Sequence, residues 1–566
     1  MRWGASIIAA GRTRFALWAP DRAAVTLVID GREPLPMTAQ DDGWFAIETD
    51  APAGTRYLFR VAEAVDVPDP ASRAQSGGVH GWSVVVDPTT FRWRSDWRGR
   101  LWSEHVIQEI HVGVLGGFRG VIAQLPAIAD LGVTAIELMP VAAFGGERGW
   151  GYDGVLPYAP AEAYGTPDDL RALVDAAHGV GLSVLLDVVY NHFGPDGNYL
   201  GGYASGFFHT DVATPWGGAV AVDQPAVARY FIDNALMWLE DYRVDGLRFD
   251  AVHAIGDDAF LDTMAEEIRA RCGDRPVHLV LENEHNDADR IGGGRYDAQW
   301  NDDFHNVLHV LLTGETSAYY GDFAERPAER LARCLGEGFI YQGEASPNGG
   351  GAARGKPSGH LPPTAFVSFL QNHDQIGNRA LGERLTILAD QAKLRAATAL
   401  LLLCPQIPLI FMGDESGSDT PFLFFTDFHD ELADAVREGR RREFAKFAAF
   451  ADEAARAAIP DPNARSTFGA SRPQPGPAAA EWRELYRRLL AARRTEIVPR
   501  LAGARALGAQ VVGDKAFVAR WAMGDDRVLT LLFNIGDDAV ELPEQSAPFF
   551  AVGEPGGSAS LAAWLV

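Results

Sequence analysis

The most constraining feature of this sequence is an alternation of strand-like and helix-like segments that runs from about residue 103 to residue 455. Each strand-like segment is a short apolar run, and most are followed by a longer amphipathic pattern typical of a helix. Eight candidate strands lie at residues 106–112, 134–139, 184–190, 246–252, 278–282, 299–303, 366–370 and 409–412. Parallel strands joined by crossover helices have this pattern, and eight of them predict a (β/α)8 TIM barrel.

The segments on either side of the barrel follow a different pattern. Residues 1–95 contain short alternating runs separated by Asp-Gly and Ala-Gly turns, which predict an N-terminal, immunoglobulin-like β-sandwich. Residues 481–566 begin with a helical pattern and end in short strands, which predict a small C-terminal β domain. The barrel domain is then expected to span 96–480, with a short insertion at 193–223 after the third strand and a Pro-rich tail.

Composition limits the classes of ligand. The 566 residues include 50 basic and 76 acidic side chains, a net charge of −26, which argues against nucleic acid and against an anionic membrane surface. A neutral substrate fits this charge better. The three cysteines lie far apart and form no Cys/His cluster, so we expect no metal and no cofactor. The chain start resembles a strand rather than a secretion signal, and no apolar run reaches membrane-spanning length, so we expect a cytoplasmic protein.

Charged and polar side chains collect where four of the predicted strands end. Because the active sites of (β/α)8 barrels lie at the C-terminal ends of their strands, we expect these side chains to meet at one mouth. They are Asp187, Asn191 and His192 after the third strand, Arg248, Asp250 and His253 at the fourth, Glu282 at the fifth, and His373 and Asp374 at the seventh.

Two of these carboxylates have the relationship that glycoside cleavage requires. Asp250 and Glu282 end neighbouring strands, whose spacing of about 4.8 Å suits the separation of about 5 to 5.5 Å in retaining glycosidases. Arg248 shares a strand face with Asp250 and favours its ionised form, although the pair alone would equally fit a structural ion pair. Glu284 lies on the same face as Glu282 and is the alternative acid. Metal-assisted hydrolysis would need a fixed shell of His and Asp ligands, and phosphoryl transfer a Gly-rich loop that the sequence lacks.

These stretches, in this order, resemble the four conserved segments of the α-amylase superfamily, glycoside hydrolase family 13. The matching segments are 187–192, 246–250, 282 and 372–374. The resemblance implies a retaining glycoside hydrolase in which Asp250 is the nucleophile, Glu282 the acid/base and Asp374 the transition-state stabiliser. It likens the N-terminal sandwich to a carbohydrate-binding module. It also implies substrate-binding roles for Tyr152, Asp187, His192, Arg248, His253 and His373.

Further segments indicate one branch of that superfamily. Ordinary amylases carry Lys-His after the nucleophile, where this chain has His253-Ala254. The chain is instead similar to the branch that cuts the α-1,4 bond between a maltooligosaccharide and a terminal trehalose, which implies maltooligosyltrehalose or a related α-glucan as substrate. Residues 416–420 depart from that pattern in the loop after the eighth strand. The similar segments are 107–112, 197–200, 214–217, 250–255, 299–305, 412–415, 421–426, 439–444 and 459–462.

The resemblance to this branch has two further implications and leaves two alternatives open. Trp300, Asp303 and His305 are expected to bind the trehalose unit on the plus side of the cleavage point. A maltooligosyltrehalose synthase is expected to supply the substrate. The alternatives are a glycogen branching or debranching enzyme of the same superfamily, and a barrel that binds glycan without turnover. The second alternative predicts that one of the three catalytic carboxylates is missing, whereas all three are present.

Overall fold

The computed structural model describes residues 3–214, 217–445, 447–544 and 546–566. Within them, eight parallel strands form a closed barrel in which the last strand pairs with the first. The prediction of a (β/α)8 barrel is confirmed, and each predicted strand is present. In chain order the barrel strands are Ile107–Ile110, Ala135–Leu138, Ser183–Val188, Gly246–Phe249, His278–Leu281, Ala298–Trp300, Phe366–Phe369 and Ile407–Phe411.

Several helices begin where the sequence provides capping groups. Thr166 and Asp169 form a reciprocal capping box at the start of Pro167–Gly179, and the Asp257 side chain caps Asp258–Cys272. The α-helices of the described chain are Gly117–Ile122, Leu125–Leu131, Pro167–Gly179, Pro225–Asp241, Val252–Ile255, Asp258–Cys272, Asp302–Thr313, Pro327–Glu337, His373–Gly377, Leu385–Leu388, Gln391–Leu403, Asp430–Phe444, Glu453–Ala457, Arg465–Ala470 and Ala479–Ala492. None of them is both long and apolar enough to cross a membrane.

The interior of the barrel has an apolar lower layer and a polar upper layer. Side chains on a strand alternate between its two faces, so residues two apart on one strand both point inward. The lower layer includes Ile107, Ala135, Leu185, Val280, Ala298, Val367, Ile407 and Leu409. Nearer the C-terminal ends, Glu109, Glu137, Asp187 and Arg248 are buried on four consecutive strands. This polar layer lies directly beneath the residues at the barrel mouth.

Two antiparallel sheets at the N-terminus form the predicted β-sandwich, which is confirmed. Phe15 of one sheet and Tyr57 of the other pack together, with their ring centroids 4.7 Å apart. The first sheet contains Gly4–Ala9, Arg12–Trp18, Thr38–Ala39 and Trp44–Asp50, and the second contains Thr26–Ile29, Leu35–Pro36, Arg56–Ala62, Val65–Val67, Gln75–Ser76 and Trp82–Val84.

An aromatic cluster joins these sheets to the barrel. The ring of Trp3 lies 4.8 Å from that of Trp44 in the first sheet and 5.0 Å from that of Tyr230 on the barrel helix Pro225–Asp241. The Trp3 indole also donates a hydrogen bond of 3.1 Å to the backbone carbonyl of Ala226 on the same helix. The sandwich and the barrel therefore share buried apolar surface.

The chain ends in an antiparallel sheet that follows the helix Ala479–Ala492. This sheet packs against the barrel helices Pro327–Glu337 and Gln391–Leu403. The predicted C-terminal β domain is confirmed, whereas the boundaries drawn at residues 95 and 480 stay predictions. The strands are Arg505–Gly513, Ala516–Ala522, Val528–Asn534, Phe550–Val552 and Ser560–Leu565.

Hairpins occupy the loops that follow the second, third and sixth barrel strands. The hairpin after the third strand lies inside the predicted insertion at 193–223, of which Pro215 and Trp216 fall outside the described residues. The other two hairpins were not predicted. The paired strands are Ala142–Phe144 with Gly154–Pro160, Phe208–Thr214 with Gly217–Val220, and Glu344–Ala345 with Ala353–Arg354.

Candidate active site

The guanidinium of Arg248 is the centre of the site at the barrel mouth. Its Nη1 donates to Asp187 Oδ2 at 2.8 Å and to Asp250 Oδ1 at 2.7 Å. Its Nη2 lies 3.7 Å from Glu282 Oε2. The indole of Trp300 lies beneath the guanidinium, 4.1 Å away. Asp250 and Glu282 therefore face each other across a single guanidinium group.

Glu282 is placed to hold a proton. Its pKa is raised to about 8: burial is the largest cause, the carboxylates of Asp250, Asp302 and Asp374 act in the same direction, and Arg248 opposes them. The backbone N–H of Ala251 donates to Glu282 Oε2, which leaves Oε1 to carry the proton. The general acid of a retaining glycosidase has these properties.

The backbone at Ala251 has a left-handed conformation, with φ of 42°. This conformation costs a residue with a Cβ about 1 kcal/mol or more. It turns the chain sharply after Asp250 and directs the Ala251 N–H at the Glu282 carboxyl group. The strained backbone at Ala251 therefore helps to set the position of the Glu282 carboxyl group relative to Asp250.

Tyr152 and His373 form an aromatic wall beside this pair. Their rings stack with centroids 4.9 Å apart, and the Tyr152 hydroxyl donates to Asp187 Oδ2 at 2.6 Å. His192 Nε2 donates to the Tyr152 carbonyl oxygen at 2.8 Å, and burial lowers the pKa of His192, which favours the neutral imidazole. The predicted residues Tyr152, Asp187, His192, Arg248 and His373 are thus brought together.

Glu109 is part of the site and was missed from the sequence. Its two carboxylate oxygens accept from Nδ1 and from the backbone N–H of His373. Burial alone would lower the pKa of His373, but Glu109 and Asp374 together outweigh it and raise the pKa to about 9. His373 is therefore an imidazolium ion at neutral pH. The sequence signal that could have identified Glu109 is its position as the one charged residue of a barrel strand.

Asp302 is a second missed residue. It lines a cleft of about 500 Å³ together with Glu282 and Asp374. Burial raises the pKa of Asp302 to about 7, and Asp374 contributes in the same direction. Asp302 comes two residues after the sixth strand, so reading the residues that follow each strand would have found it.

His253 and Glu284 lie at the rim of the site. His253 Nε2 is 3.7 Å from Glu284 Oε2, and the Glu284 side chain is 73% exposed. Glu282, by contrast, contacts the buried Arg248. The geometry therefore favours Glu282 over Glu284 as the acid.

Comparison with known proteins decides the family. A malto-oligosyltrehalose trehalohydrolase from Deinococcus radiodurans is 42% identical over 565 residues, covering 97% of this chain and 92% of the relative. A protein of the same name from Saccharolobus solfataricus is 42% identical over 449 residues, covering 76% of this chain and 78% of the relative. The chain belongs to the malto-oligosyltrehalose trehalohydrolase family.

Other comparisons agree with this family and confirm the resemblance to the α-amylase superfamily. Residues 77–206 match the family model "Alpha amylase, catalytic domain", and residues 504–566 match a "Domain of unknown function". A crystal structure from Salmonella typhimurium, described as an α-amylase, superposes with a TM-score of 0.94 at 47% identity, covering 100% of this chain and 99% of that one.

The predicted plus-side residues of this trehalohydrolase family member need correction. Trp300, Asp303 and His305 are buried and do not line the cleft. Trp300 lies under Arg248. Asp303 accepts from the backbone N–H groups of Ile340 and Tyr341. His305 bonds to the Leu370 carbonyl and the Tyr320 hydroxyl.

The physical reason for this error is the position of a helix start. The sequence predicted a strand through residue 303, whereas the strand ends at Trp300 and a helix begins at Asp302. Helical geometry then turns Asp303 and His305 away from the cleft, and it presents Asp302 and Asn306 instead.

Proposed function

We propose that this chain is a retaining glycoside hydrolase that cuts the α-1,4 bond next to the terminal trehalose of a maltooligosyltrehalose and releases trehalose. One observation carries the hydrolase chemistry: Asp250 and a proton-holding Glu282 share the guanidinium of Arg248. The names of the relatives, malto-oligosyltrehalose trehalohydrolases, support the substrate. We further infer that a maltooligosyltrehalose synthase supplies it.

The proposed reaction has two steps. In the first, a carboxylate oxygen of Asp250 attacks C1 of the glucose in subsite −1, while Glu282 gives its proton to the departing glycosidic oxygen. Trehalose leaves as the C1–O bond breaks. In the second step, the ionised Glu282 takes a proton from a water molecule that attacks C1, and Asp250 departs. Two inversions leave the configuration at C1 unchanged.

The neighbouring residues orient these groups and the sugar. Arg248 favours the ionised form of Asp250, and the Asp187 contact fixes the guanidinium. The stacked rings of Tyr152 and His373 offer a platform for the −1 glucose. Asp374 lies 3.6 Å from His373 Nε2 with half of its side chain exposed, so it is free to bind sugar hydroxyls as the ring flattens.

The cleft beside Glu282 is the proposed site for trehalose. Its polar wall can hydrogen-bond a hydroxyl-rich disaccharide, and Tyr319, with 47% of its surface exposed, offers a ring at the rim. We propose Asp302, Asn306, Tyr319 and Arg354 as plus-side contacts in place of the three buried residues. A site that hydrogen-bonds the α,α-1,1 shape penalises plain maltose by leaving polar groups unpaired.

We expect trehalose-ended chains to be preferred over plain ones. The kcat/KM for maltopentaosyltrehalose should exceed that for maltoheptaose by about 100-fold, the scale of one or two unpaired polar groups. Product analysis by chromatography, with free trehalose as the readout, measures this ratio. Equal values would contradict the trehalose assignment and leave the hydrolase intact. Altered iodine staining of glycogen without trehalose release would indicate a branching activity instead.

The alkaline limb of the pH profile should report Glu282. Because the acid must hold its proton, kcat/KM should fall as pH rises through about 8. Asp302→Asn removes one of the negative charges that raise the Glu282 pKa, so the limb should move to lower pH in this variant. Glu284→Gln is the matched control, since it neutralises a nearby exposed carboxylate that does not contact Arg248. Limbs that coincide in wild type and Asp302→Asn would contradict this electrostatic account.

A further inference from the structure

One acidic side chain inside the barrel has no evident role in the reaction described above. Glu137 lies on the second barrel strand, in register with Glu109 of the first strand, and is fully buried. Neither of its carboxyl oxygens has a hydrogen-bond partner among the described residues. Buried polar atoms in proteins are nearly always paired, because an unpaired one loses its hydration without compensation.

Two neighbouring side chains of the same polar layer each have one atom without a hydrogen-bond partner among the described residues. Asp187 uses Oδ2 for Tyr152 and Arg248, whereas its buried Oδ1 has no partner within the described chain. The buried Nε of Arg248 likewise lacks an acceptor there. The layer therefore leaves one acceptor and one donor open. A neutral carboxylic acid offers one O–H donor and one carbonyl acceptor, whereas a carboxylate offers acceptors alone.

The charges that face Glu137 favour its neutral form. Burial is the largest influence on its pKa, and Glu109 and Asp187 act in the same direction. Arg248 and His373 oppose them, and the pKa nevertheless lies well above its usual value. The sum of these influences favours the neutral, protonated form of Glu137.

We propose that Glu137, as a neutral carboxylic acid, is a positioning residue for the Asp187–Arg248 pair. Its O–H serves Asp187 Oδ1, and its carbonyl oxygen serves Arg248 Nε through an ordered water, since no direct hydrogen bond joins those two atoms. It thereby fixes the guanidinium that orients Asp250 without touching the sugar. This inference rests on the proposed glycoside hydrolysis.

Two variants of matched size test the proposal. Glu137→Gln keeps one donor and one acceptor, so kcat should stay within about threefold of wild type. Glu137→Leu removes both, so kcat should fall by about 10- to 100-fold with little change in KM, the scale of one or two lost hydrogen bonds. The Tm of Glu137→Leu should change little, because the apolar burial gained by leucine offsets the cost of the two polar groups left unpaired. A merely structural residue would lose stability rather than turnover.

Infrared spectroscopy gives a readout that does not depend on activity. The difference spectrum between wild type and Glu137→Gln at neutral pH should contain the carbonyl stretch of one protonated carboxyl group. Absence of that band would overturn the proposal, as would equal kcat in the Leu and Gln variants, whether both are high or both low. Measuring the rates on both plain maltoheptaose and the trehalose-ended chain keeps the two proposals separate. If the trehalose-ended chain is not preferred, the kcat values of the Gln and Leu variants can still be compared.

Discussion

Asp250→Asn should lower kcat by about four orders of magnitude or more, the scale seen when a covalent nucleophile is removed. The amide cannot form the glycosyl ester, and its loss of charge leaves the Arg248 guanidinium without one of its two closest carboxylates. Steady-state hydrolysis of a trehalose-ended maltooligosaccharide measures the loss. Retention of more than a tenth of wild-type turnover would overturn the assignment of Asp250.

The control for this variant is Glu284→Gln. It changes a carboxylate near the same rim but outside the group of side chains around Arg248. Its turnover should remain close to that of wild type, and its thermal unfolding should match that of Asp250→Asn to within a few degrees. A large loss in Glu284→Gln would reopen Glu284 as the acid.

Glu282→Gln should have the second-largest effect, a loss of about three orders of magnitude or more in kcat. The amide cannot protonate the glycosidic oxygen, and it cannot deprotonate water in the second step. Azide needs no deprotonation, so added azide should accelerate the second step and yield the α-glycosyl azide. No azide effect on a substrate whose leaving group needs no proton would contradict the acid/base role.

The same substitution should stabilise the fold at neutral and alkaline pH. The pKa of Glu282 is raised in the folded chain to about 8, against about 4.3 in the unfolded chain. Between these two pKa values the folded state binds more protons than the unfolded state, so the free energy of unfolding of the wild type falls as pH rises. The full loss of stability is reached above about pH 8. The Tm difference between Glu282→Gln and wild type should therefore grow from pH 5 to pH 8 and then level off. A constant difference would argue against the raised pKa.

The barrel and the two proposed catalytic carboxylates could be predicted because both depend on local patterns. The alternation of strands and helices is visible along the chain, and residues such as Asp250 and Glu282 directly follow apolar strands. Glu109 and Glu137 could not be assigned in this way. Their significance comes from contacts between strands far apart in sequence, such as Glu109 with His373, and those contacts exist only once the barrel has closed.

The plus-side residues failed for a different reason. The segment around residue 300 fits a strand end or a helix start, and the strand ends three residues earlier than predicted. Helical rather than strand geometry therefore decides which of the following side chains face the cleft. Selectivity for the sugar beyond the cut bond depends on such loop and helix starts rather than on the barrel. Sequence patterns therefore identify the chemistry of this site more securely than its specificity.

The packing of Trp3 has a consequence for how the molecule unfolds. Its ring lies between aromatic residues of the sandwich and of a barrel helix. Unfolding of either part would therefore expose apolar surface of the other. We therefore expect the β-sandwich and the barrel to unfold as one cooperative unit, although their sequence patterns differ. Loss of the Trp3 packing should therefore loosen the helix Pro225–Asp241, which leads into the strand that ends at the proposed nucleophile.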